Sequence, residues 1–250
     1  MLRFSAAIAA LILATGCTHF DSNAVRSVMA SEARSDADRK RDETSKPVDV
    51  LKFFGLAPGD TVLDLFAGAG YYSQLAAAAV GTEGRVYAHN NAAYLEFAGD
   101  GLKQRLATAN TGNLIRYDAE IDAIDLPDNS VDVVLMVLTY HDIYYVTDGW
   151  ALDGETLFGQ IRRVLKPNGV LGIVDHAGRA GSGSADAQDL HRIDAEFARS
   201  DIESHGFRLV GSTDVLANPD DDSTVLVFDP AVRGATSRFV YRFELVGQSE

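Results

Sequence analysis

Short apolar runs alternate with stretches of helical periodicity between Lys46 and Gly206. The run from Val131 to Leu138 is almost continuously apolar, which is typical of a strand covered on both faces. The alternation predicts a parallel sheet with right-handed crossovers and helices on both faces. Five runs predict the strands of this sheet: Thr61–Leu65, Arg85–Ala88, Leu114–Tyr117, Val131–Leu138 and Val170–Val174.

The stretches between these strands carry apolar residues at helical spacing. Pro47 can open a helix in which Val48, Leu51 and Phe54 share one face. The sequence Gly99-Asp100-Gly101 predicts an interruption of the helix over 92–107. Further helices are predicted over 71–80, 157–165 and 185–205, the last as one long helix ended by Gly206.

After Gly206 the apolar runs follow one another without helices between them. Strands are predicted over 207–216, 224–228 and 238–245. Such a series favours an antiparallel edge added to the parallel sheet. The predicted fold class is therefore α/β, a doubly wound and mostly parallel sheet with an antiparallel C-terminal edge.

The first 17 residues have the pattern of an export signal. Met1-Leu2-Arg3 is a short basic start, residues 4–13 are apolar and uncharged, and small residues lead to Cys17, the only cysteine of the chain. The apolar run is shorter than the roughly 20 residues that span a bilayer, and it fits the h-region of a signal peptide. No intramolecular disulfide is possible with one cysteine.

The residues before Cys17 resemble a bacterial lipoprotein signal. The resemblance implies removal of residues 1–16, lipidation of Cys17 and a lipoprotein of the cell envelope that faces the periplasm. The alternatives are a plain secretory signal, which gives a soluble periplasmic protein, and a cytosolic protein. Residues 17–45 are mostly polar and predict a tether with an N-terminal helix around Val25, Val28 and Met29; the folded domain is predicted over 46–250.

The charge balance excludes some partners. Acidic residues outnumber basic ones by 36 to 22, a formal net charge of −14. The one dense basic run, Arg39-Lys40-Arg41, is flanked by acidic residues, so we interpret it as a solvated stretch. A nucleic-acid surface needs clustered lysine and arginine, and anionic membranes repel an acidic surface. No nucleic acid is expected as a partner, and contact with a membrane is expected only through the lipid at Cys17.

The candidate chemistry begins at the end of the first strand. Asp64 is followed by Phe66-Ala67-Gly68-Ala69-Gly70, and a helix is predicted from Tyr71. Gly68 and Gly70 permit positive φ and a close approach of the backbone. The helix after such a turn directs free N–H groups at an anionic ligand group. A nucleotide-type ligand is therefore predicted at this switch from strand to helix.

Three segments in order resemble the class I S-adenosylmethionine-dependent methyltransferases. They are the Asp-x-Phe-x-Gly-x-Gly motif from Asp64 to Gly70, the fourth-strand segment 126–134 and the helix-and-strand segment 161–171. Gly70-Tyr71-Tyr72 and Tyr140-His141-Asp142 resemble a bacterial group of exported methyltransferases. The resemblance covers roughly residues 46–250 and implies a seven-stranded Rossmann-like fold, S-adenosylmethionine as cofactor and a small-molecule substrate.

The resemblance also implies roles for single residues. Asp64 and the backbone of Phe66, Ala67, Gly68 and Gly70 would hold the amino-acid part of the cofactor. Asp118 with Ala119 would face the adenine amino group. Where the family has an acid for the ribose hydroxyls, this chain has Asn90, whose amide offers one acceptor oxygen instead of two. Substitution Asn90→Asp is accordingly expected to tighten cofactor binding.

Histidines after the fourth and fifth strands are candidates for acid–base chemistry, because the carboxyl ends of such strands line one crevice. His141, oriented by Asp142, is the first candidate for the base that takes a proton from an acceptor, and His176 is the second. Backbone capping is the structural alternative for both. His191 and Asp194 could join these histidines in a metal site, but a hydrogen-bonded pair on a helix surface is favoured, so no metal is predicted.

Three functions remain open for the sequence. The first is methyl transfer from S-adenosylmethionine to a small molecule. The second is an envelope binding protein that kept the fold without the activity. The third is a hydrolase or lyase that depends on a metal or a histidine, because a fold does not fix a chemistry. We predict the first, and the oligomeric state is left open.

Overall fold

The computed structural model describes residues 19–108 and 112–247. The predicted signal and Cys17 lie outside the described residues. A seven-stranded sheet has the order β3-β2-β1-β4-β5-β7-β6. Its strands are β1 Thr61–Leu65, β2 Arg85–Asn90, β3 Leu114–Asp118, β4 Val131–Val137, β5 Leu165–His176, β6 Phe207–Thr213 and β7 Arg238–Leu245. The first five are parallel and β7 is antiparallel to both of its neighbours. The predicted fold class is confirmed.

Eight α-helices accompany the sheet in the described part of the chain. They are α1 Ser22–Met29, α2 Asp36–Ser45, α3 Pro47–Phe54, α4 Tyr71–Val80, α5 Ala92–Thr108, α6 Gly154–Val164, α7 Ala187–Leu190 and α8 Ala195–Ser204. Sequence signals fix several of their ends. Pro47 stands at the first turn of α3, and the Asp153 carboxylate accepts the Thr156 N–H to cap α6.

Each face of the sheet is covered by its own apolar cluster. Val133 and Leu135 of β4 join the cluster formed with α1, α3 and α4, whereas Val134 and Met136 join the cluster formed with α6 and α8. Consecutive residues of one strand thus serve opposite faces, as the two-residue period of a strand requires. This explains why β4 is apolar at nearly every position. Among the described residues, no helix is both long and apolar enough to cross a membrane.

The long helix predicted over 185–205 is wrong. Residues between α7 and α8 leave the helical path, since His191 has a left-handed backbone (φ 51°) and Ile193 pairs with Ala177 in a parallel bridge. Arg192 is fully buried and forms a salt bridge with Asp221 at 2.8 Å. The break brings His191 to the carboxyl end of the sheet.

Two other predictions fail for local reasons. The glycines at 99 and 101 do not interrupt α5; a Cβ on Gly101 would stand 2.8 Å from the Cβ of Ala69, so this glycine permits close packing against the loop after β1. The strand predicted over 224–228 does not form. The Val227 N–H is instead donated to the carbonyl of Leu190, which joins this loop to α7.

Residues 22–45, which the sequence predicts as part of a tether and helix, form α1 and α2 against the domain. Val25 of α1 is fully buried in the cluster with α3 and α4. On α2, Asp38 accepts two hydrogen bonds from Arg105 of α5, at 3.0 Å each. Arg238 of β7 donates to the carbonyl of Thr44 at 2.6 Å. The α2 helix is therefore attached to the domain by charged groups at both ends.

Candidate functional site

The loop after β1 has the backbone that the glycines predicted. Gly68 and Gly70 have φ of 57° and 73°. Phe66 also has a positive φ, 53°, which is rare for a bulky side chain and stores strain that the surroundings must hold. A Cβ on Gly68 would have the Cβ of Ala98 in α5 as its nearest neighbour, at 3.9 Å. The glycine at 68 is thus required mainly for its backbone conformation.

The amides of this loop are already hydrogen-bonded inside the protein. The Ala67 N–H is donated to the carbonyl of His89 at 2.8 Å, and the Gly70 N–H to the carbonyl of Ala67 at 2.9 Å. The Gly68 N–H is donated to the side chain of Asn90 at 2.9 Å. The loop therefore shapes the crevice, while ligand contacts fall mainly to side chains around it.

Asn90 holds this loop with both ends of its amide. Besides accepting from the Gly68 N–H, its Nδ2 donates to the carbonyl of Gly68 at 3.0 Å, and the side chain is fully buried. An amide can make this two-way contact because it carries a donor and an acceptor. The residue at the family's ribose position thus supports the loop from behind.

This contact reverses the expected effect of Asn90→Asp. The substitution replaces the Nδ2 donor of Asn90 by an oxygen, which then faces the carbonyl oxygen of Gly68. We expect a loss of about 1–3 kcal/mol in the free energy of unfolding, the usual cost of an unsatisfied buried group, together with weaker cofactor binding. Denaturant unfolding and calorimetry check both; tighter binding in the variant would restore the ribose assignment.

Asp64 is the buried acid of the site. It is 2 % exposed and accepts the Ser73 hydroxyl at 2.5 Å. Burial raises the pKa of Asp64 to about 6, although the hydrogen bond from Ser73 and the charge of Arg41 act in the opposite direction. A narrow cavity opens beside it, of about 20 Å³, lined by Arg41, Asp64, Phe66, Ala67, Tyr71, Tyr72 and Val137.

Arg41 of α2 is a site residue that the sequence interpretation missed. Its guanidinium lies 4.1 Å from the centre of the Tyr71 ring and 5.9 Å from that of Tyr72. Such contacts hold a cation over an aromatic face. The Gly-Tyr-Tyr sequence was the available signal, since two tyrosines at a helix start can seat a cation. Arg41 and Asp64 place opposite charges on one small cavity.

A larger cavity of about 410 Å³ lies at the carboxyl ends of β2 and β3. Its lining comprises Asn91, Glu120, Ile121, Asp122, Gly149, Trp150, Ala151, Leu152, Asp153 and Thr156. The volume is in the range of small-molecule sites. Asp118, predicted to face adenine, is exposed and forms a salt bridge with Arg116 at 2.7 Å. The carbonyl of Ala119 contacts the ring of His89 at 3.0 Å. Glu120 lines the cavity in their place.

An aromatic cluster stands between the two cavities. Phe66 lines the small one and Trp150 lines the large one, and their ring centres are 5.4 Å apart. Tyr94 packs on both, at 5.0 Å from Phe66 and 5.3 Å from Trp150. The strained backbone of Phe66 thus sets a side chain that lines the small cavity and contacts Trp150 of the large one.

His141 lies at the centre of a polar cluster at the carboxyl ends of β4 and β5. Its Nδ1 is 2.8 Å from a carboxylate oxygen of Asp175, and its Nε2 is 3.3 Å from Asp142 and 3.2 Å from His191. Asp142, predicted to orient His141, lies on the opposite ring nitrogen from Asp175. The orienting carboxylate is Asp175, which lies at the carboxyl end of β5 and directly follows the strand predicted over 170–174.

The charges of this cluster depend on one another. Burial opposes a charged imidazole, but the carboxylates of Asp175 and Asp142 outweigh it and raise the pKa of His141. The positive charge of His141 and its hydrogen bonds overcome burial and lower the pKa of Asp175. Burial, together with the charge of His141, lowers the pKa of His191 to about 4. The cluster therefore favours a charged His141–Asp175 pair beside a neutral His191.

The other predicted polar residues make their own contacts at the edge of this centre, and the ring centre of His176 is 6.0 Å from that of His141. His176 contacts the hydroxyl of Thr236 at 2.7 Å, and burial lowers its pKa to about 3. Asp194 caps α8 by accepting the Glu196 N–H and also accepts the Gly181 N–H at 2.7 Å. Of the four residues weighed for a metal site, the structure brings together His141 and His191, with Asp142 as the third neighbour.

The chain is similar to known methyltransferases in sequence. Residues 63–173 match a protein family described as a methyltransferase domain. The chain is 34 % identical over 128 residues, 50 % of each protein, to a 2-phytyl-1,4-naphtoquinone methyltransferase of Trichormus variabilis. It is 28 % identical over 142 residues to a ubiquinone/menaquinone biosynthesis C-methyltransferase of Teredinibacter turnerae, 56 % of this chain and 53 % of that protein. The chain spans about half the length of the curated relatives it matches.

The fold is shared with solved methyltransferase structures. A crystal structure of an S-adenosylmethionine-dependent methyltransferase from Aquifex aeolicus matches with a TM-score of 0.60 and 24 % identity, over 90 % of this chain and all of that chain. The matched segment 63–173 contains the Asp64–Gly70 loop, and the strand order agrees with the predicted Rossmann-like sheet. Residues 63–173 are therefore similar to a methyltransferase domain, and the chain shares the fold of the solved methyltransferase.

Proposed function

We propose that the protein transfers a methyl group from S-adenosylmethionine to a small molecule. The observation that carries the proposal is the pair of cavities on either side of Phe66: a small one with Arg41 and Asp64, and one of about 410 Å³ beside Glu120. The amino-acid end of the cofactor is a zwitterion whose two charges match Arg41 and Asp64, and the cavity of about 20 Å³, which has room for little more than one water, must open to receive it. The larger cavity suits the adenosine end.

A buried hydroxyl supports the same site. Thr139, next after Leu138 at the carboxyl end of β4, is 3 % exposed, and its Oγ1 has no hydrogen-bond partner within the residues that the structure describes. Buried polar groups are nearly always paired, so an orphaned hydroxyl at the crevice fits a ligand. Leu138 has a φ of 62°, a second strained position at this edge.

The bound cofactor supplies a methyl group already activated by its sulfonium. The protein's part is to position the acceptor and take its proton. We assign the acceptor side to His141 and Asp142, with Asp175 orienting His141 from behind. His176 receives no role in this proposal, because its ring is engaged with Thr236.

The surroundings of His191 favour an acceptor with an apolar body. The ring of Tyr145 lies 4.7 Å from the ring of His191, and that of Phe228 lies 5.0 Å away. Phe228 is 54 % exposed and the neighbouring Val146 is 63 % exposed. The curated relatives are named as quinone methyltransferases, and a ring of that kind combines apolar surface with oxygen groups. We assign the acceptor to this class.

The first test is calorimetry of the full-length protein with S-adenosylmethionine and S-adenosylhomocysteine. We expect one site for each ligand. Absence of binding at millimolar ligand would leave a binding protein on this fold, or other chemistry at His141. The matched control is Asp128→Asn, which alters an exposed carboxylate outside both cavities and is expected to leave the affinity unchanged.

The export signal is the second part of the proposal. We infer that residues 1–16 are removed, that Cys17 carries the lipid, and that the domain faces the periplasm. The support is the sequence pattern before Cys17. Mass spectrometry of the N-terminal peptide from the native host tests it: a diacylglyceryl mass on Cys17 is expected, and an intact Met1 would contradict it.

A further inference from the structure

Three ligand atoms of the polar cluster lie at the spacing of a metal site. His141 Nε2 is 3.2 Å from His191 Nδ1 and 3.3 Å from Asp142 Oδ1, and the remaining pair, His191 Nδ1 and Asp142 Oδ1, is 3.9 Å apart. With metal–ligand bonds of about 2.0–2.2 Å, ligand atoms around a tetrahedral ion lie about 3.3 Å from each other. The three atoms thus form one face of a slightly widened tetrahedron.

Outer residues orient two of these ligands. Asp175 contacts His141 at Nδ1, 2.8 Å away, and holds the ring proton on that nitrogen. When an ion binds, the Nε2 proton is released to solvent and the Nε2 lone pair faces the centre of the three atoms. The Tyr94 hydroxyl donates to Oδ2 of Asp142 at 2.6 Å, which leaves Oδ1 for the ion. In metal sites a ligating histidine usually donates its other ring N–H to a carboxylate, which fixes the orientation of the ring. The Asp175 carboxylate is fixed by hydrogen bonds from the backbone N–H groups of His141 and His176, each 2.7 Å.

The third ligand depends on the break between α7 and α8. His191 takes a left-handed backbone with φ 51°, which an uninterrupted helix would not contain. Its side chain is 19 % exposed, whereas that of His141 is 5 % and that of Asp142 is 12 % exposed. The cluster is therefore closed on the protein side and reachable past His191. A fourth position on that side is available to water or to an acceptor oxygen.

We propose that His141, Asp142 and His191 bind one divalent transition-metal ion of the zinc class. Two imidazoles and one carboxylate are the ligand set of open, three-residue zinc sites and suit other first-row divalent ions as well. The ion would lie beside Tyr145 and Phe228, where it can bind an oxygen of the acceptor. With an ion on Nε2 and Asp175 on Nδ1, His141 no longer takes the acceptor's proton, so the metal site replaces the base assigned above. Metal binding and cofactor binding are measured separately, and either can fail without the other.

The competing explanation is a hydrogen-bond network without an ion. The same contacts would then be made by protons shared among the two imidazoles and the carboxylate. This network predicts no stoichiometric uptake of metal and no dependence of uptake on His191. The two explanations therefore differ in a direct binding measurement.

The test is Zn²⁺ binding by the full-length protein, first stripped with chelator and then measured by equilibrium dialysis with elemental analysis. We expect one equivalent of Zn²⁺. Co²⁺ in the same site should give visible d–d bands of a four- or five-coordinate ion. The His191→Asn and Asp142→Asn variants should each lose at least about 100-fold in affinity, since loss of a residue that only orients a ligand already reaches that size.

The matched control is His205→Asn, which removes one imidazole at the end of α8, where the ring packs on Phe158. It should bind Zn²⁺ as the unaltered protein does. Circular dichroism establishes that each variant is folded, and His191→Asn is suited to this because asparagine tolerates the left-handed backbone. Absence of stoichiometric Zn²⁺, or equal affinity in the His191→Asn, Asp142→Asn and unaltered proteins, would overturn the proposal.

Discussion

The Asp64→Asn variant should be more stable than the unaltered protein at pH 7 while losing the cofactor. Burial raises the pKa of Asp64 from 3.8 to about 6, so the folded protein holds this proton more tightly than the unfolded chain does. Between about pH 4 and pH 6 the folded state therefore binds more protons, and the free energy of unfolding falls as the pH rises. A shift of about two units corresponds to roughly 3 kcal/mol.

Asparagine removes this titration, so the variant should be stabilised by up to about 3 kcal/mol above pH 6. The difference should vanish near pH 4, where Asp64 is protonated in both states. Denaturant unfolding of both proteins from pH 4 to pH 8 measures it. The exposed carboxylate of Asp118 offers the control, since Asp118→Asn should change stability by less than about 1 kcal/mol. The assignment would be contradicted if the free energy of unfolding of Asp64→Asn, minus that of the unaltered protein, decreased from pH 4 to pH 7 instead of increasing.

The same substitution should weaken S-adenosylmethionine binding by at least 10-fold, because the amide offers no charge to the cofactor's ammonium group. A charged hydrogen bond contributes about 1.5–3 kcal/mol. Gain of stability together with loss of binding distinguishes a functional carboxylate from a structural one. If Asp64→Asn bound the cofactor as before, the amino-acid end would have to lie elsewhere.

The sequence predicts the sheet because its local signals agree with the fold. Strand β4 is apolar on both faces, which indicates a strand in the middle of the sheet. Strand β1 has Asp64 as its next-to-last residue and is followed by a glycine turn, which indicates a ligand site. The failures occur where a tertiary contact decides. Gly101 stands in α5 because Ala69 needs the space, and His191 leaves the helix where Ile193 forms an isolated bridge with Ala177. The spacing of apolar residues along the sequence does not show that Ala69 packs against Gly101 or that Ala177 pairs with Ile193.

The candidate site shows the same division. His141 and Asp142 were predicted from their place after a strand, and the structure puts both in the cluster. Which carboxylate faces which ring nitrogen depends on side-chain directions, so Asp175 took the role expected of Asp142. The amide at Asn90 was interpreted as a weakened ribose contact; the structure shows it bonded to Gly68. Spacing predicts proximity, whereas hydrogen-bond partners require coordinates.

Arg41 lies in the basic run that was interpreted as solvated, and its loss should have a large effect on cofactor binding. The guanidinium rests on Tyr71 and lines the cavity of Asp64, where it can receive the cofactor's carboxylate. We expect Arg41→Ala to weaken S-adenosylmethionine binding by about 10- to 100-fold, the value of one charge-assisted hydrogen bond. Methionine should also compete less well with S-adenosylmethionine for the variant, whereas the competition by adenosine should be unchanged.

Lys40→Ala is the matched control, because Lys40 is the neighbour of Arg41 on α2, is exposed as Arg41 is, and lines neither cavity. Both variants remove one positive charge from the same helix, so long-range electrostatics affects them alike. A 10-fold or larger difference in affinity between the two assigns the effect to contact at the cavity. Equal affinities would show that α2 does not contact the cofactor. Residues 36–45 would then only pack against the domain, through the contact of Asp38 with Arg105.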